Sequence, residues 1–200
     1  MKRLSDYQAI IVDMDGTLYY QKPVRLAIFK EMLLRFWRLP DFLLVKKYRQ
    51  LYEQGYDEKE RLSRLPERAS QVIREWMVER PLPFVCKYKD TELIDLLVGI
   101  AIQEIPVIVY SDYPVKEKLS AMGFSPQLCY TADELGKMKP EASKLIDILL
   151  MQGINPKKCL VIGDRYEKDG KLAENMGADY LLLPRERAMR TRFYQRKVPV

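Results

Sequence analysis

The fold is decided by the stretch Ala9-Ile10-Ile11-Val12-Asp13-Met14-Asp15-Gly16-Thr17-Leu18, an apolar run that ends in two carboxylates. The apolar run predicts a buried strand. Because residues i and i+2 of an extended chain point to the same side, Asp13 and Asp15 are expected to share a face as the strand ends. Gly16 lets the backbone turn away steeply at that point. The stretch therefore predicts a strand that delivers an acidic pair able to hold a cation and attack an electrophile.

Two other interpretations of this stretch have to be considered. Asp, Gly and Thr are ordinary turn residues, so an acidic turn needs no function. A calcium-binding loop also begins Asp-x-Asp, but the sixth position from Asp13 is Leu18 rather than Gly, and the twelfth is Val24 rather than Glu. That spacing excludes the calcium loop. An enzyme is favoured because three more signals follow in order along the chain.

The second and third signals are a hydroxyl and a lysine. A β-branched run ends in Ser111 and Asp112, which places a hydroxyl and a backbone N–H at a strand end. Lys139 comes next, and Pro140 suits the first position of a helix that continues to about Met151. The positive end of that helix would strengthen the field of Lys139. Each signal is weak alone, because strand-ending serines are often turn formers and most lysines are solvated.

The fourth signal is Gly163-Asp164, which follows four apolar residues, with Asp169 five residues further on. In an open parallel α/β sheet the carboxyl ends of the strands form one crevice. Four such strand ends would bring together the candidate site residues Asp13, Asp15, Thr17, Ser111, Asp112, Lys139, Asp164 and Asp169. We therefore predict an α/β fold, a Rossmann-like parallel sheet with helices on both faces and a small inserted α-helical cap.

With these four motifs the chain resembles the haloacid dehalogenase-like (HAD) phosphohydrolases of the C1-capped, phosphoglycolate phosphatase-like type. The family's motifs read Asp-x-Asp-x-Thr, then Ser or Thr, then Lys, then Gly-Asp with a further acid. The resemblance covers residues 7–17 and about 86–184. It implies a Mg²⁺ ion held by the carboxylate of Asp13, the backbone carbonyl of Asp15 and the carboxylate of Asp164. It also implies a phosphate site that includes Ser111 and Thr17.

Elementary chemistry assigns roles to the acids. Asp13 is the expected nucleophile, because a carboxylate with an ordinary pKa near 3.9 is ionised at neutral pH. It would form an aspartyl-phosphate. Asp15 would protonate the departing alcohol and later deprotonate a water, which requires burial or crowding by carboxylates to raise its pKa. Asp169 is expected to orient a metal-bound water or to pair with Lys139.

The phosphate itself needs positive charge around it. Lys139 would supply a second cation, while the Ser111 hydroxyl and nearby N–H groups would hold phosphoryl oxygens. Asp112 belongs to the same phosphate-binding set, although another acid there would weaken binding unless it points away or contacts the substrate.

The domain organisation follows from a shift in composition after the first motif. Residues 20–85 are rich in Arg, Lys, Leu, Tyr and Trp at helical spacing, with helices predicted over 26–37, 42–52 and 67–79. We predict a helical cap over 20–85 and a catalytic core over 1–19 and 86–200, with a core helix over 91–103. The cap residues Tyr19, Tyr20, Lys22 and Arg25 are candidates to meet the leaving group.

Composition narrows the function classes. Histidine is absent, which removes histidine catalysis and the usual zinc sites. The three cysteines are widely spaced without a Cys-x-x-Cys motif, so we predict buried thiols in a reducing cytoplasm. No apolar stretch approaches membrane-spanning length. The expected partner is a small phosphate ester, with no membrane partner and no nucleic acid.

Two alternatives remain at this stage. The net charge of +6 and the pI near 9.1 allow a nucleic-acid or acidic-partner binder on a phosphatase-like scaffold. In the basic segment 22–49, however, Phe29, Phe36, Trp37 and Tyr48 are expected to pack as a core face. A phosphomutase of the same family is the other alternative. The basic tail Arg185 to Val200 is predicted to be a solvated helix or a loose end.

Overall fold

The structure of the chain is a computed structural model that describes residues 3–197, with side chains through residue 194. Its centre is one five-stranded sheet in the order β3-β2-β1-β4-β5, in which every paired strand is parallel. The strands are β1 (Ala9–Val12), β2 (Val107–Ser111), β3 (Leu128–Thr131), β4 (Cys159–Gly163) and β5 (Asp179–Leu182). The predicted α/β class with a Rossmann-like sheet is confirmed.

Helices account for most of the remaining chain. Before β2 these are α1 (Gln21–Leu34), α2 (Leu39–Glu53), α3 (Glu58–Ser63), α4 (Ala69–Arg74), α5 (Leu82–Lys87) and α6 (Thr91–Ile102). After β2 they are α7 (Lys116–Met122), α8 (Ala132–Leu135), α9 (Ser143–Met151), α10 (Lys171–Met176) and α11 (Arg187–Lys197). Short 3₁₀ turns lie at Leu4–Asp6, Phe36–Arg38 and Pro156–Lys158, and π-helical turns at Glu75–Glu79 and Tyr166–Gly170. None of the helices within residues 3–197 could cross a bilayer.

The strands β1, β2 and β4 are buried on both faces, which explains why they are near-continuous apolar runs, whereas the edge strands β3 and β5 are mostly half-buried. On one face Ile10 and Val109 pack with Leu97 of α6. On the other face Ile11 and Tyr110 belong to the cluster that contains residues of α9 and α10. The central strand β1 pairs with β2 and β4, so that Ile10 lies opposite both Val107 and Leu160. This register brings the ends of β1, β2 and β4 to one edge.

The inserted segment is helical, as predicted, and most of one apolar cluster lies in it. The cluster joins α1, α2, α4 and the π-helical turn to Ala132 of α8, and its other buried members are Met32, Val45, Tyr48, Tyr52, Val72, Trp76 and Met77. The helix bounds differ from the prediction: α1 begins at Gln21 rather than Leu26. The division into a cap and a core remains a prediction.

Two sequence predictions about burial fail. Phe29, Phe36 and Trp37 are exposed rather than packed, and only Tyr48 of the four aromatics is buried. On α1 the inward stripe repeats every four residues through Val24, Ile28 and Met32, which leaves Phe29 beside it. The thiols are not uniformly buried either: Cys159 is buried, Cys129 half-buried and Cys86, near the end of α5, exposed.

The basic tail forms a helix, α11, as one of the two predictions had it, and Arg187 and Arg192 are exposed. Arg190 in its first turn, however, is fully buried, not solvated. The physical reason is that the guanidinium finds carbonyl and carboxylate partners beneath the first motif, which offset its desolvation. The last three residues of the predicted tail lie outside the described residues.

Candidate active site

The candidate site lies where β1, β2 and β4 end. Asp13 follows β1, Ser111 closes β2 and Asp164 follows β4, and all three side chains are buried. Lys139 reaches into this group from the loop between α8 and α9. Its ammonium donates to Asp13, and also to Asp169 at 2.7 Å. The four motifs that are far apart in sequence therefore meet at one edge of the sheet.

Asp13 is held on two sides. The Thr17 hydroxyl donates to its Oδ2 at 2.9 Å, and the Lys139 ammonium donates to its Oδ1. Burial raises the pKa of Asp13 to about 7, so the ordinary pKa expected from sequence is wrong. The charge of Lys139 opposes the shift, and nearby Asp169 raises the pKa further. Thr17 is fully buried, so in this structure its hydroxyl supports Asp13 and does not face the cavity.

Lys139 is placed by a loop and not by a helix end, which corrects the sequence prediction. The helix begins at Ser143, so Pro140 is not its first residue. Instead, the backbone N–H of Lys139 donates to Asp112 at 2.9 Å. Lys168 donates to the other Asp112 oxygen at 2.8 Å. The charge of Asp112 is therefore compensated by a cation, which removes the main objection to an acid next to Ser111.

Asp15 is also in the site, but its surroundings contradict the predicted raised pKa. Burial alone would raise the pKa of Asp15, yet the charge and hydrogen bond of Lys118, the Tyr19 hydroxyl and the charge of Arg49 together lower it. The Lys118 ammonium is 2.7 Å from Asp15 Oδ1. Cations rather than carboxylates crowd this side chain, which holds it ionised.

Three buried acids of the site form a potential metal site. Asp13, Asp164 and Asp169 each offer an oxygen, and these oxygens all lie within 4.8 Å of one another. Asp164 Oδ1 is buried without a hydrogen-bond partner among the described residues. A Cβ on Gly16 would lie 2.8 Å from Asp164 Oδ2, so glycine is needed for this close approach. Clustered carboxylates with an unsatisfied oxygen fit a hard divalent cation.

A cavity of about 530 Å³ opens above these residues. The predicted residues Asp13, Asp15, Ser111 and Asp112 line it, and Tyr113 N–H donates to the Ser111 hydroxyl at 3.2 Å. Two of the four cap candidates, Tyr19 and Arg25, also line it.

The other two cap candidates do not line the cavity. The hydroxyl of Tyr20 donates to Asp90 at 3.1 Å, and Lys22 lies elsewhere on α1.

Several site residues carry no sequence signal that would single them out. Lys118 on α7, Arg49 on α2 and Arg165 after β4 all line the cavity. Of the three, only Arg165 could have been suspected from the sequence, because it follows directly after Gly163-Asp164. Lys118 and Arg49 resemble the many surface cations of this basic chain, and only the folded geometry distinguishes them.

Arg190 is a further unforeseen residue, and it lies beneath the first motif. Its guanidinium donates to the carbonyls of Gly16 and Thr17, the latter at 2.6 Å. It also donates to Asp90 at 2.9 Å and to the Pro184 carbonyl at 2.5 Å. Through these hydrogen bonds, Arg190 of α11 holds the loop that carries Asp13 and Asp15 in place.

A parallel α/β sheet with an acidic strand end, a buried lysine and a carboxylate cluster is typical of one class of hydrolases. A sequence profile described as haloacid dehalogenase-like hydrolase matches residues 7–177, and the chain belongs to this family. The resemblance drawn from the four motifs is therefore confirmed at the level of the family. No curated protein sequence matches the chain significantly.

Solved structures of similar fold agree. The HAD hydrolase YfnB of Bacillus subtilis, bound to magnesium, has a TM-score of 0.61 at 16% identity, covering 91% of this chain and 89% of its own. A predicted phosphoglycolate phosphatase from Haemophilus somnus has a TM-score of 0.60 at 16% identity, covering 89% and 85%. CbbY of Rhodobacter sphaeroides, in complex with xylulose-(1,5)bisphosphate, has a TM-score of 0.60 at 17% identity, covering 91% and 89%.

Proposed function

We propose that this hydrolase cleaves phosphate monoesters with Asp13 as nucleophile. The observation that carries the proposal is the buried contact between Asp13, which lines the cavity, and the Lys139 ammonium behind it. A phosphate dianion repels an anionic nucleophile, and a fixed cation beside the nucleophile reduces that repulsion. The phosphatase in the name of the Haemophilus somnus protein and the phosphate ester bound to CbbY support the same chemistry.

The reaction proceeds by two displacements at phosphorus. Asp13 forms a bond to phosphorus while the bond from phosphorus to the ester oxygen breaks, and the alcohol leaves with a proton. Water then attacks the aspartyl-phosphate, gives up a proton and releases inorganic phosphate. Ser111 and Lys139 hold phosphoryl oxygens in both steps, and Thr17 keeps the Asp13 carboxylate oriented through its hydrogen bond.

Asp15 is the proposed proton carrier for both steps. It lies two residues from the nucleophile and faces the same cavity. In the structure its contacts with Lys118 and Tyr19 keep it ionised. A bound phosphate dianion would place negative charge beside it and favour its protonated form. Asp15 would then donate this proton to the leaving alcohol and recover one from water.

A Mg²⁺ ion belongs to the same proposal. Asp13 and Asp164 would hold it with the backbone carbonyl of Asp15, and Asp169 would help fix Lys139 nearby. When bound, the ion would neutralise charge on the transferred phosphoryl group. The magnesium in YfnB supports this choice of metal.

The helical segment 20–85 is proposed to act as a cap over the site. Its helices α1 and α2 supply cavity residues such as Arg25 and Arg49, so its position decides whether water reaches Asp13. A small phosphorylated molecule and a cytoplasmic location complete the proposal.

The test is hydrolysis of p-nitrophenyl phosphate by the purified protein, with and without Mg²⁺. We expect metal-dependent release of free phosphate and loss of turnover by at least about a thousandfold in Asp13→Asn. Asp147→Asn, the same change on an exposed residue of α9 outside the cavity, serves as the control. Unchanged turnover in Asp13→Asn would rule out the proposed nucleophile, and phosphate transfer without release would indicate a mutase.

A further inference from the structure

The cavity has two unlike walls. At the strand ends its floor is polar and contains Asp13, Asp15 and Ser111. The opposite wall comes from the helical segment and is largely apolar, consisting of Val24, Ile28, Phe29, Met32, Phe42, Val45, Trp76, Met77 and Pro81. Polar residues on that wall are few, namely Gln21, Arg25, Arg49 and Glu53. A sugar or another polyol would leave many hydroxyls without partners against such a surface.

The apolar wall continues to the outside of the molecule. Phe29 and Phe42 line the cavity, yet 50% and 43% of their surfaces remain exposed, so they stand at its mouth. Leu26 and Leu33, at positions i−3 and i+4 from Phe29 on α1, are exposed as well. On α2 the exposed residue Leu39 precedes Phe42 by one turn. An apolar path therefore runs from the cavity past both phenylalanines onto two helix faces.

Cations lie where this path meets the polar floor. Arg25 and Arg49 come from the same two helices as the apolar residues, and Lys118 comes from the core. They would attract an anionic head group into a cavity whose upper part suits hydrocarbon. The volume of about 530 Å³ lies within the roughly 300–1,000 Å³ typical of pockets that enclose a small ligand. It has room for a phosphate and several carbons, and the open mouth accommodates a longer chain.

We propose that the substrate is a phosphorylated amphiphile, a monoester whose leaving alcohol carries an aliphatic chain that passes between Phe29 and Phe42. The inference rests on the proposed phosphatase function and specifies its substrate class. The phosphate binds at Asp13 and Lys139, and the chain lies along the apolar wall. The products are inorganic phosphate and the free fatty alcohol, with one water consumed.

Chain length is the measurable consequence. Each methylene that moves from water into an apolar site stabilises the bound state enough for about a fourfold gain in kcat/KM. We expect n-octyl phosphate to exceed n-butyl phosphate by at least about tenfold, since partial burial of four methylenes already gives that ratio. D-glucose 6-phosphate should be a poorer substrate than n-octyl phosphate. These three esters and p-nitrophenyl phosphate are assayed with Mg²⁺, and n-octyl phosphate is kept below its micelle-forming concentration.

The apolar mouth is tested by the double variant Phe29→Ser/Phe42→Ser. We expect its octyl-to-butyl ratio of kcat/KM to fall to about three or less, mainly through a higher KM for the octyl ester. Met151→Ser, an exposed apolar residue at the end of α9, is the matched control and should keep the full ratio. Because the readout is a ratio of two substrates, a change in the folded fraction of a variant cancels out.

The outcomes separate the two proposals. If p-nitrophenyl phosphate is hydrolysed in an Asp13-dependent manner but the octyl-to-butyl ratio is near one, the amphiphile proposal is wrong and the phosphatase stands. Faster turnover of D-glucose 6-phosphate than of n-octyl phosphate leads to the same conclusion, as does an unchanged ratio in the double variant. If none of the four esters is hydrolysed, the proposed phosphatase function fails and the substrate assignment fails with it.

Discussion

Replacing Arg190 with methionine tests whether the hydrogen bonds of this α11 residue stabilise the loop of the first motif. The guanidinium is fully buried and donates to Asp90 and to the carbonyls of Gly16, Thr17 and Pro184. Methionine fills most of the space but donates nothing, so three carbonyls and one carboxylate lose a partner. Asp90 keeps its bonds from Leu93 N–H and from two tyrosine hydroxyls, which limits the damage.

The expected cost follows from these contacts. Breaking a buried ion pair by removing one partner costs about 3–5 kcal/mol, and each buried carbonyl left unsatisfied costs about 1–3 kcal/mol. Since relaxation and water entry recover part of this sum, we expect a loss of about 4 kcal/mol in the free energy of unfolding. Domains of this size are usually stable by about 5–15 kcal/mol, so Arg190→Met should still fold.

Urea denaturation of the wild type and Arg190→Met measures this difference directly. Arg192→Met is the matched control, because Arg192 lies on the exposed side of the same helix and its loss should cost less than about 0.5 kcal/mol. Adding Asp90→Asn to Arg190→Met removes the orphaned charge, so the double variant should lose less than the sum of the single losses. A loss below about 1 kcal/mol in Arg190→Met would refute the reasoning.

Two other predictions concern stability and acidity. Gly163→Ala places a Cβ 2.4 Å from Asp169 Cβ, so we expect the free energy of unfolding to fall by about 1–3 kcal/mol and phosphatase activity to weaken. In contrast, a Cβ on Gly99 in α6 meets nothing within 4 Å, so Gly99→Ala should raise the free energy of unfolding by about 0.5–1 kcal/mol. Urea denaturation measures both changes. Burial alone would raise the pKa of Glu75, but hydrogen bonds from two arginines lower it below the ordinary 4.5. The stabilising contribution of ionised Glu75 is therefore complete above pH 4.5 and is lost as the pH falls through the lowered pKa. In Glu75→Gln the unfolding midpoint should therefore fall less steeply than in the wild type as the pH is lowered through this range.

The centre of the sheet could be predicted from sequence because β1, β2 and β4 are buried on both faces and therefore form near-continuous apolar runs. The ends of such strands converge by topology alone, which is why Asp13, Ser111 and Asp164 could be grouped from the sequence. The start of a helix depends on contacts that the sequence does not show. Pro140 is typical of a helix start, but a hydrogen bond from Lys139 N–H to Asp112, 27 residues earlier, holds that segment in a loop.

The electrostatics of the site could not be predicted, because they depend on contacts between distant segments. The pKa of Asp15 is set by Lys118, which is 103 residues away in sequence. The burial of Arg190 depends on carbonyls of the first motif, and a backbone carbonyl leaves no trace in an amino-acid pattern. The exposed aromatics of the helical segment were misjudged for a related reason: helical spacing shows that a face is apolar but does not show what covers it.

The contact of Arg190 with Thr17 joins groups that are 173 residues apart. During synthesis on the ribosome the segment with Asp13 emerges long before Arg190, its buried anchor, is added. A nascent chain can form the central strands long before it can complete that loop. Catalytic competence should therefore arise late, and a chain shortened by a premature stop before residue 190 would keep all four motifs and still lack the support that orders the first.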